Sequence, residues 1–331
     1  MGQTLSEPVV DKHTTFHGND RLIYGASAMQ GWRVTMEDAH TTILDLKDLK
    51  DTSFFGVYDG HGGRGAAKYS GEQLHERIVK DEAFTQGDYA LAMKHGFLGA
   101  DSDLRGDPEF IHDSSGCTAV TALITPDKRI FVGNAGDSRA VMSAGGKAKA
   151  LSEDHKPVNE GESARIVAAG GFVEFGRVNG NLALSRAIGD FEFKQNLKLN
   201  PEDQIVTANP DVEMHALTPE DEFIVLACDG IWDCMTSEEV IEFVRAKIAE
   251  NQTLAQICES MMDHCLASDS ELGGVGCDNM TVVIVGFLQG KSEEEWYQWV
   301  RERVQKESSE SGISAHLTEN EESNVETAQE S

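Results

Sequence analysis

Three short apolar runs in this chain each end on, or start from, an aspartate flanked by small residues, and this repetition constrains the fold more than any other feature. Residues 54–63 read FFGVYDGHGG, residues 222–233 EFIVLACDGIWD, and residues 277–287 CDNMTVVIVGF. Aromatic and β-branched runs suit buried strands, which puts Asp59, Asp229 and Asp278 at strand ends. Strand ends can converge. Two unit negative charges ~4 Å apart repel by about 4 kcal/mol at an effective dielectric of 20, so converging carboxylates need cations or protons. Oxygen ligation alone selects hard ions such as magnesium or manganese over zinc. The other reading is that each aspartate caps a separate turn, and spacing alone leaves both open. Gly60, Gly62 and Gly63 would let the backbone around His61 come close to an ion or an anion.

The chain has 331 residues, 40% of them hydrophobic, enough for one large domain or two smaller ones. No apolar run approaches the ~20 residues of a membrane-spanning helix, and a secretory signal pattern is missing. Cytosol or nucleus is therefore the expected location. Acidic residues outnumber basic ones 57 to 28. The formal charge of −29 opposes non-specific binding to nucleic acid or anionic lipid. The six cysteines are scattered without a CxxC pair, so zinc and a disulfide framework are not indicated, and reduced thiols are expected.

The first residues, MGQTLS, fit the N-myristoylation pattern, with Gly2 as the acceptor. One acyl chain without a polybasic patch would give at most weak membrane association. Residues 1–20 are read as an arm. Leu22 to Met29 and about Thr41 to Leu46 read as strands enclosing the charged cluster Arg33, Glu37 and Asp38. Trp32 and Met36 suggest that this cluster is partly buried, where unpaired charge is costly. Arg64 to Lys80 and a stretch within Tyr89 to Leu104 have helical spacing. The first helix begins just past His61, an N-terminus that favours a bound anion. DSDLRGDPEFIHD is not a calcium loop, because Arg105 and His112 stand at ligand positions. Strand texture resumes at Cys117, with Asp137 ending one strand, and Pro157 to Ala169 reads as a helix. Residues 170–190 have the weak periodicity of a mobile surface element. Thr236 with Glu239 forms a capping box ahead of a helix, and a further helix is expected from about Thr253 to Ala267. Ser292 and Glu295 cap a helix over 291–306 that carries Trp296, Trp299, Val300 and Val304 on one face, for packing or for a partner, with packing favoured. Residues 307–331 read as an acidic, disordered tail.

RVTMEDAH, VYDGHGG, SGCTAV, NAGDSRAV, LALSRAIGD, ACDGIWD and CDNMTVVIV, in this order, resemble the motif set of the metal-dependent type 2C protein serine/threonine phosphatases, the PPM family. The resemblance spans about residues 20–288, and the N-terminal MGQTLSEPV is similar to fungal members. It implies an α+β fold, a β-sandwich of two mainly antiparallel sheets flanked on both faces by antiparallel helix pairs. The catalytic domain would cover 21–290, with a flap over about 165–200 beside the cleft. By resemblance Glu37, Asp59, Asp229, Asp278 and the Gly60 carbonyl hold two manganese or magnesium ions, supported by Asp38 and Asn279. A weaker third ion would use Asp137 and Asp229, with Asp233 nearby. A water bridging the two ions would attack phosphorus in line, Arg33 would hold phosphate oxygens, and His61 would protonate the leaving oxygen. The implied substrates are phosphoserine and phosphothreonine proteins, stress and mitogen-activated kinases among them, and the expected state is a monomer. Each expected metal carboxylate is present.

Rival classes fare worse. Cysteine-dependent phosphatases need an arginine six residues after the nucleophile, and Leu123, Cys234, Val240, His264, Glu271 and Val283 occupy those positions. A phosphodiesterase acting on nucleic acid conflicts with the charge. A silent phosphoprotein-binding scaffold of the same fold is the remaining alternative.

Overall fold

The computed structural model describes residues 4–270, 274–307 and 309. Its centre is two antiparallel sheets packed face to face. One has the strand order Thr4–Gly18, Leu22–Arg33, Met280–Phe287, Asp221–Ala227, Arg139–Ala144, Lys147–Ala150. The other has Asp211–Ala216, Arg129–Ala135, Ala119–Ile124, Ser53–Tyr58, Ala39–Ile43. Successive side chains on a strand face opposite ways. Ile224, Leu226, Val283 and Val285 thus meet Phe55, Val57, Val120 and Val132 between the sheets. Phe223, Val225, Val282 and Ile284 point outward into a second core beneath the helices Ser237–Ala249 and Leu254–Cys265. Phe54, Tyr58, Leu123 and Phe131 do the same beneath Gly65–Val79 and Tyr89–Gly106. Because both faces are covered, these strands are continuously apolar instead of alternating. This is the sandwich the motif resemblance implies.

The expected caps are formed, at Thr236 with Glu239 and at Ser292 with Glu295, and Thr253 with Gln256 makes a further capping box. The predicted helix at Pro157 starts later, spanning Glu160–Ala168. The strand expected at Thr41 to Leu46 spans Ala39–Ile43.

Two readings need correction. Residues 4–18, taken as part of an arm, form an edge strand on Leu22–Arg33. Its outward side chains are mostly polar, and its register shifts twice between Thr4 and Lys12, around Pro8, so the sequence lacks regular alternation there. Glu307, placed at the start of the tail, lies in a helix over 293–307, and its carboxylate takes both terminal nitrogens of Arg245 at 2.7 and 2.9 Å. That helix packs as a third one on the first sheet, with Trp296 and Val300 fully buried. Glu222, also fully buried, lies 3.0 Å from Arg245 and 2.8 Å from Arg303 of this helix. Neither nitrogen is aligned for a hydrogen bond, so charge and not direction holds these pairs. Gly2 and the tail beyond residue 309 lie outside the described residues, and no described helix is long and apolar enough to cross a membrane.

Candidate active site

The strand ends gather at one edge of the sandwich. Ser53–Tyr58 delivers Asp59, Asp221–Ala227 delivers Asp229, Met280–Phe287 starts just after Asp278 and Asn279, and Leu22–Arg33 runs on to Glu37. Arg33, Glu37, Asp59, Gly60, His61, Asp137, Asp229, Asp278 and Asn279 line one cleft of 580 Å³. Asp38 lies behind it, accepting from Thr281 Oγ1 at 2.7 Å. Asp233 stands beside Asp229 on the exposed side.

Two glycines allow this convergence. A Cβ on Gly60 would sit 2.3 Å from the Glu37 carbonyl oxygen, and one on Gly230 would sit 2.1 Å from that of Asn279. Each Asp-Gly pair is thus pressed against the backbone of another carboxylate-bearing segment, closer than any side chain permits. Asn279 ties the segments together: Oδ1 accepts from the Glu37 amide at 3.0 Å, and Nδ2 donates to the carbonyls of Gln30 and Thr35 at 2.8 and 2.9 Å.

The electrostatics are those of an uncompensated acidic cluster. Burial, then repulsion from Asp229, Asp38 and Asp278, holds the Asp59 carboxyl well above its ordinary range. Burial, then Asp137, Asp278 and Asp233, does the same to Asp229. Asp38 is pushed up to about 7, chiefly by burial. Asp38 Oδ1 is also shut off from water without a hydrogen-bond partner. Such a group needs a positive neighbour. Divalent cations fit this donor set, since they would return the carboxylates to the charged form. Among the described residues no three His, Cys, Asp or Glu side chains close on one point. Ions here would therefore need the Gly60 carbonyl and water to complete their shells.

Two cations of the protein already neutralise part of the cluster. The Arg33 guanidinium pairs with Asp278. Lys156 Nζ lies 2.5 Å from Asp137 Oδ2, and its charge also reaches Asp229 and Asp233. A third metal ion at Asp137 and Asp229 would have to compete with Lys156, which the sequence reading did not foresee.

His61 also has a partner the sequence did not reveal. Gly60–His61 pairs with Gly116–Cys117, which pairs with Ile188–Gly189, so a small sheet sets Asp190 beside the histidine. His61 Nε2 is 2.7 Å from Asp190 Oδ2. Burial works against the imidazolium, but this hydrogen bond and charge outweigh it and raise the His61 pKa. Asp190 has a left-handed backbone, φ 50°, and a Cβ on Gly116 would come within 2.2 Å of its Oδ2 and 2.6 Å of His61 Nε2. The available signals were the glycine in SGC and the aspartate in AIGD.

Arg177, Asn181, Leu182, Ala183 and Leu184 also line the cleft, Arg177 from a hairpin that pairs Val173–Glu174 with Arg177–Val178. This segment stands on its own small core of Ile166, Val178, Leu184, Ala187, Phe193 and Val206.

A family model for protein phosphatase 2C matches residues 22–272. The chain belongs to this family. Its members are metal-dependent protein-serine/threonine phosphatases that use manganese or magnesium, and their substrates are phosphoproteins. The chain is 61% identical over 312 residues to protein phosphatase 2C homolog 2 of Hypocrea jecorina, covering 92% of this chain and 71% of that protein. It is 56% identical to protein phosphatase 2C homolog 2 of Schizosaccharomyces pombe over 308 residues, covering 92% of this chain and 83% of that one. Among solved structures, a phosphatase from Toxoplasma gondii superposes with a TM-score of 0.73 at 26% identity, over 84% of this chain and 96% of the other.

Proposed function

We propose that this phosphatase 2C chain hydrolyses phosphoserine and phosphothreonine in proteins with two manganese or magnesium ions held by Glu37, Asp59, Asp229, Asp278 and the Gly60 carbonyl. The observation that carries this reading is the convergence of those carboxylates on one cleft, where burial and mutual repulsion raise the pKa of Asp59 and Asp229. Asp38 and Asn279 shape the cluster from behind. Bound there, the ions would offset the carboxylate charge and supply an acidified water and electrophilic assistance to the phosphoryl group. A third ion at Asp137 and Asp229 would bind more weakly than these two, since Lys156 competes for Asp137.

The chain's own residues would do the rest. Arg33 is 40% exposed at its side chain, so part of its fork of donors remains free to take phosphate oxygens while Asp278 orients it. His61, its pKa raised by Asp190, would give its proton to the departing seryl or threonyl oxygen. By likeness to fungal relatives we place the substrates among signalling proteins, stress-activated and mitogen-activated kinases first, and the protein as a monomer in cytoplasm or nucleus. If Gly2 is acylated, membrane association would be weak.

The test is phosphate release from a phosphothreonine peptide, with chelator, with metal restored, and in Asp229→Asn. Activity should vanish with chelator, return with manganese or magnesium, and be lost in the variant. Metal-loaded protein that binds the phosphopeptide and releases nothing would move the scaffold reading ahead.

A further inference from the structure

Cys234 and Cys265 meet in the core beneath the helices of the first sheet, and the phosphatase chemistry uses neither. Cys234 directly follows Asp233, after the helical turn Asp229–Trp232. Its sulfur lies 3.3 Å from the Gly230 carbonyl oxygen and 3.5 Å from that of Cys265. The two cysteines pack against the same core cluster, so their side chains are neighbours. Cys265 is the last residue of the helix Leu254–Cys265 and is buried, whereas Cys234 is half-buried. The other four thiols, Cys117, Cys228, Cys258 and Cys277, are all buried. Solvent therefore reaches one member of the pair, and the second waits beside it.

Each partner is tied to a different carboxylate segment. Cys234 belongs to the segment that begins at Asp229. Cys265 is pressed on the loop leading to Asp278: a Cβ on Gly276 would lie 2.3 Å from the Cys265 carbonyl oxygen, and the Ala267 amide donates to the Gly276 carbonyl at 3.0 Å. A disulfide holds its sulfurs about 2.0 Å apart and its Cα atoms within about 4.4–6.8 Å, so bonding the pair locks the two segments to each other. The cleft carboxylates ride on both.

We propose that Cys234 and Cys265 are an oxidation site, converted by a hydroperoxide to a reversible disulfide that distorts the cleft and lowers turnover. The Cys234 sulfur attacks the peroxide oxygen, forming a sulfenic acid and releasing water when the oxidant is hydrogen peroxide. The Cys265 thiol then displaces the sulfenic oxygen as a second water and closes the S–S bond. Two electrons pass to the peroxide, and a dithiol returns them.

The experiment treats the full-length, metal-loaded protein with hydrogen peroxide, blocks free thiols, and reads linked peptides by mass spectrometry beside phosphate release. We expect a Cys234–Cys265 linked peptide and a fall in turnover of about 10- to 100-fold, the scale of a displacement near 1 Å, reversed by dithiothreitol. Cys265→Ser should form no linkage, leave Cys234 as a sulfenic acid trapped by dimedone, and escape most of the reversible loss. Absence of the linked peptide would overturn the site. An equal reversible loss in Cys265→Ser, or a linked protein with unchanged turnover, would overturn its coupling to the cleft. The linkage is read by mass, so its failure is distinguishable from failure of the proposed phosphatase mechanism.

Discussion

Replacing Asp190 by Asn would test whether His61 acts as an acid held in its charged form. The variant keeps the shape of the side chain and removes its charge. In the native protein the carboxylate is 5% exposed and lies 2.7 Å from His61 Nε2. Cations in the cleft would cancel the smaller contributions of Asp137 and Glu37 to the histidine, leaving Asp190 as its principal counter-charge. A hydrogen bond to a charged group is worth about 1.5–3 kcal/mol, which is about 10- to 150-fold in the protonated fraction of His61 above its pKa. The sign follows from burial: without Asp190 the desolvated imidazole loses its proton more readily, so the alkaline limb of kcat moves to lower pH. Profiles of kcat against pH would be recorded for a phosphothreonine peptide and for an aryl phosphate, whose phenolate leaves without a proton. The peptide reaction should fall by roughly that factor at mildly alkaline pH, and the aryl phosphate much less. Equal losses on both substrates with an unmoved limb would refute the reasoning.

Trp296→Ala should cost about 3–5 kcal/mol in urea unfolding, because the ring is fully buried on the first sheet; a change below about 1 kcal/mol would mean that the helix over 293–307 is dispensable to the core. Glu162 is held down to about 2 although burial alone would raise it, because Arg186, Arg165 and Ser185 outweigh burial. Its stabilisation is thus complete above the ordinary glutamate range near 4.5 and is lost as pH falls toward about 2, so Glu162→Gln should flatten that part of the acid-unfolding curve.

Much of the architecture was legible because the cores lie on both outer faces as well as between the sheets. Runs such as Phe223–Ala227 are apolar at every position, and two helices announce themselves through Thr236 with Glu239 and Ser292 with Glu295. The aspartates were legible for a similar reason: a charged residue closing an apolar run marks a strand end. What stayed hidden depends on distant pairing. His61 and Asp190 are 129 positions apart and meet only through a three-stranded sheet of two-residue strands, too short for any periodicity. Lys156 reads as an ordinary surface lysine until the fold sets it on Asp137. The strand Thr4–Gly18 gains its conformation from pairing with Leu22–Arg33, and its own residues carry little apolar pattern. Glu307 looks like the first residue of an acidic tail, and the bidentate contact to Arg245 assigns it to the helix.

The central claim is that the gathered carboxylates hold two divalent ions, and a calorimetric titration of metal-free protein with manganese tests it most directly. Two equivalents should bind to the native chain, and Asp59→Asn or Asp229→Asn should lose at least one of them while remaining folded by circular dichroism. Native protein that takes up one equivalent or none, or variants that bind as the native chain does, would contradict the account.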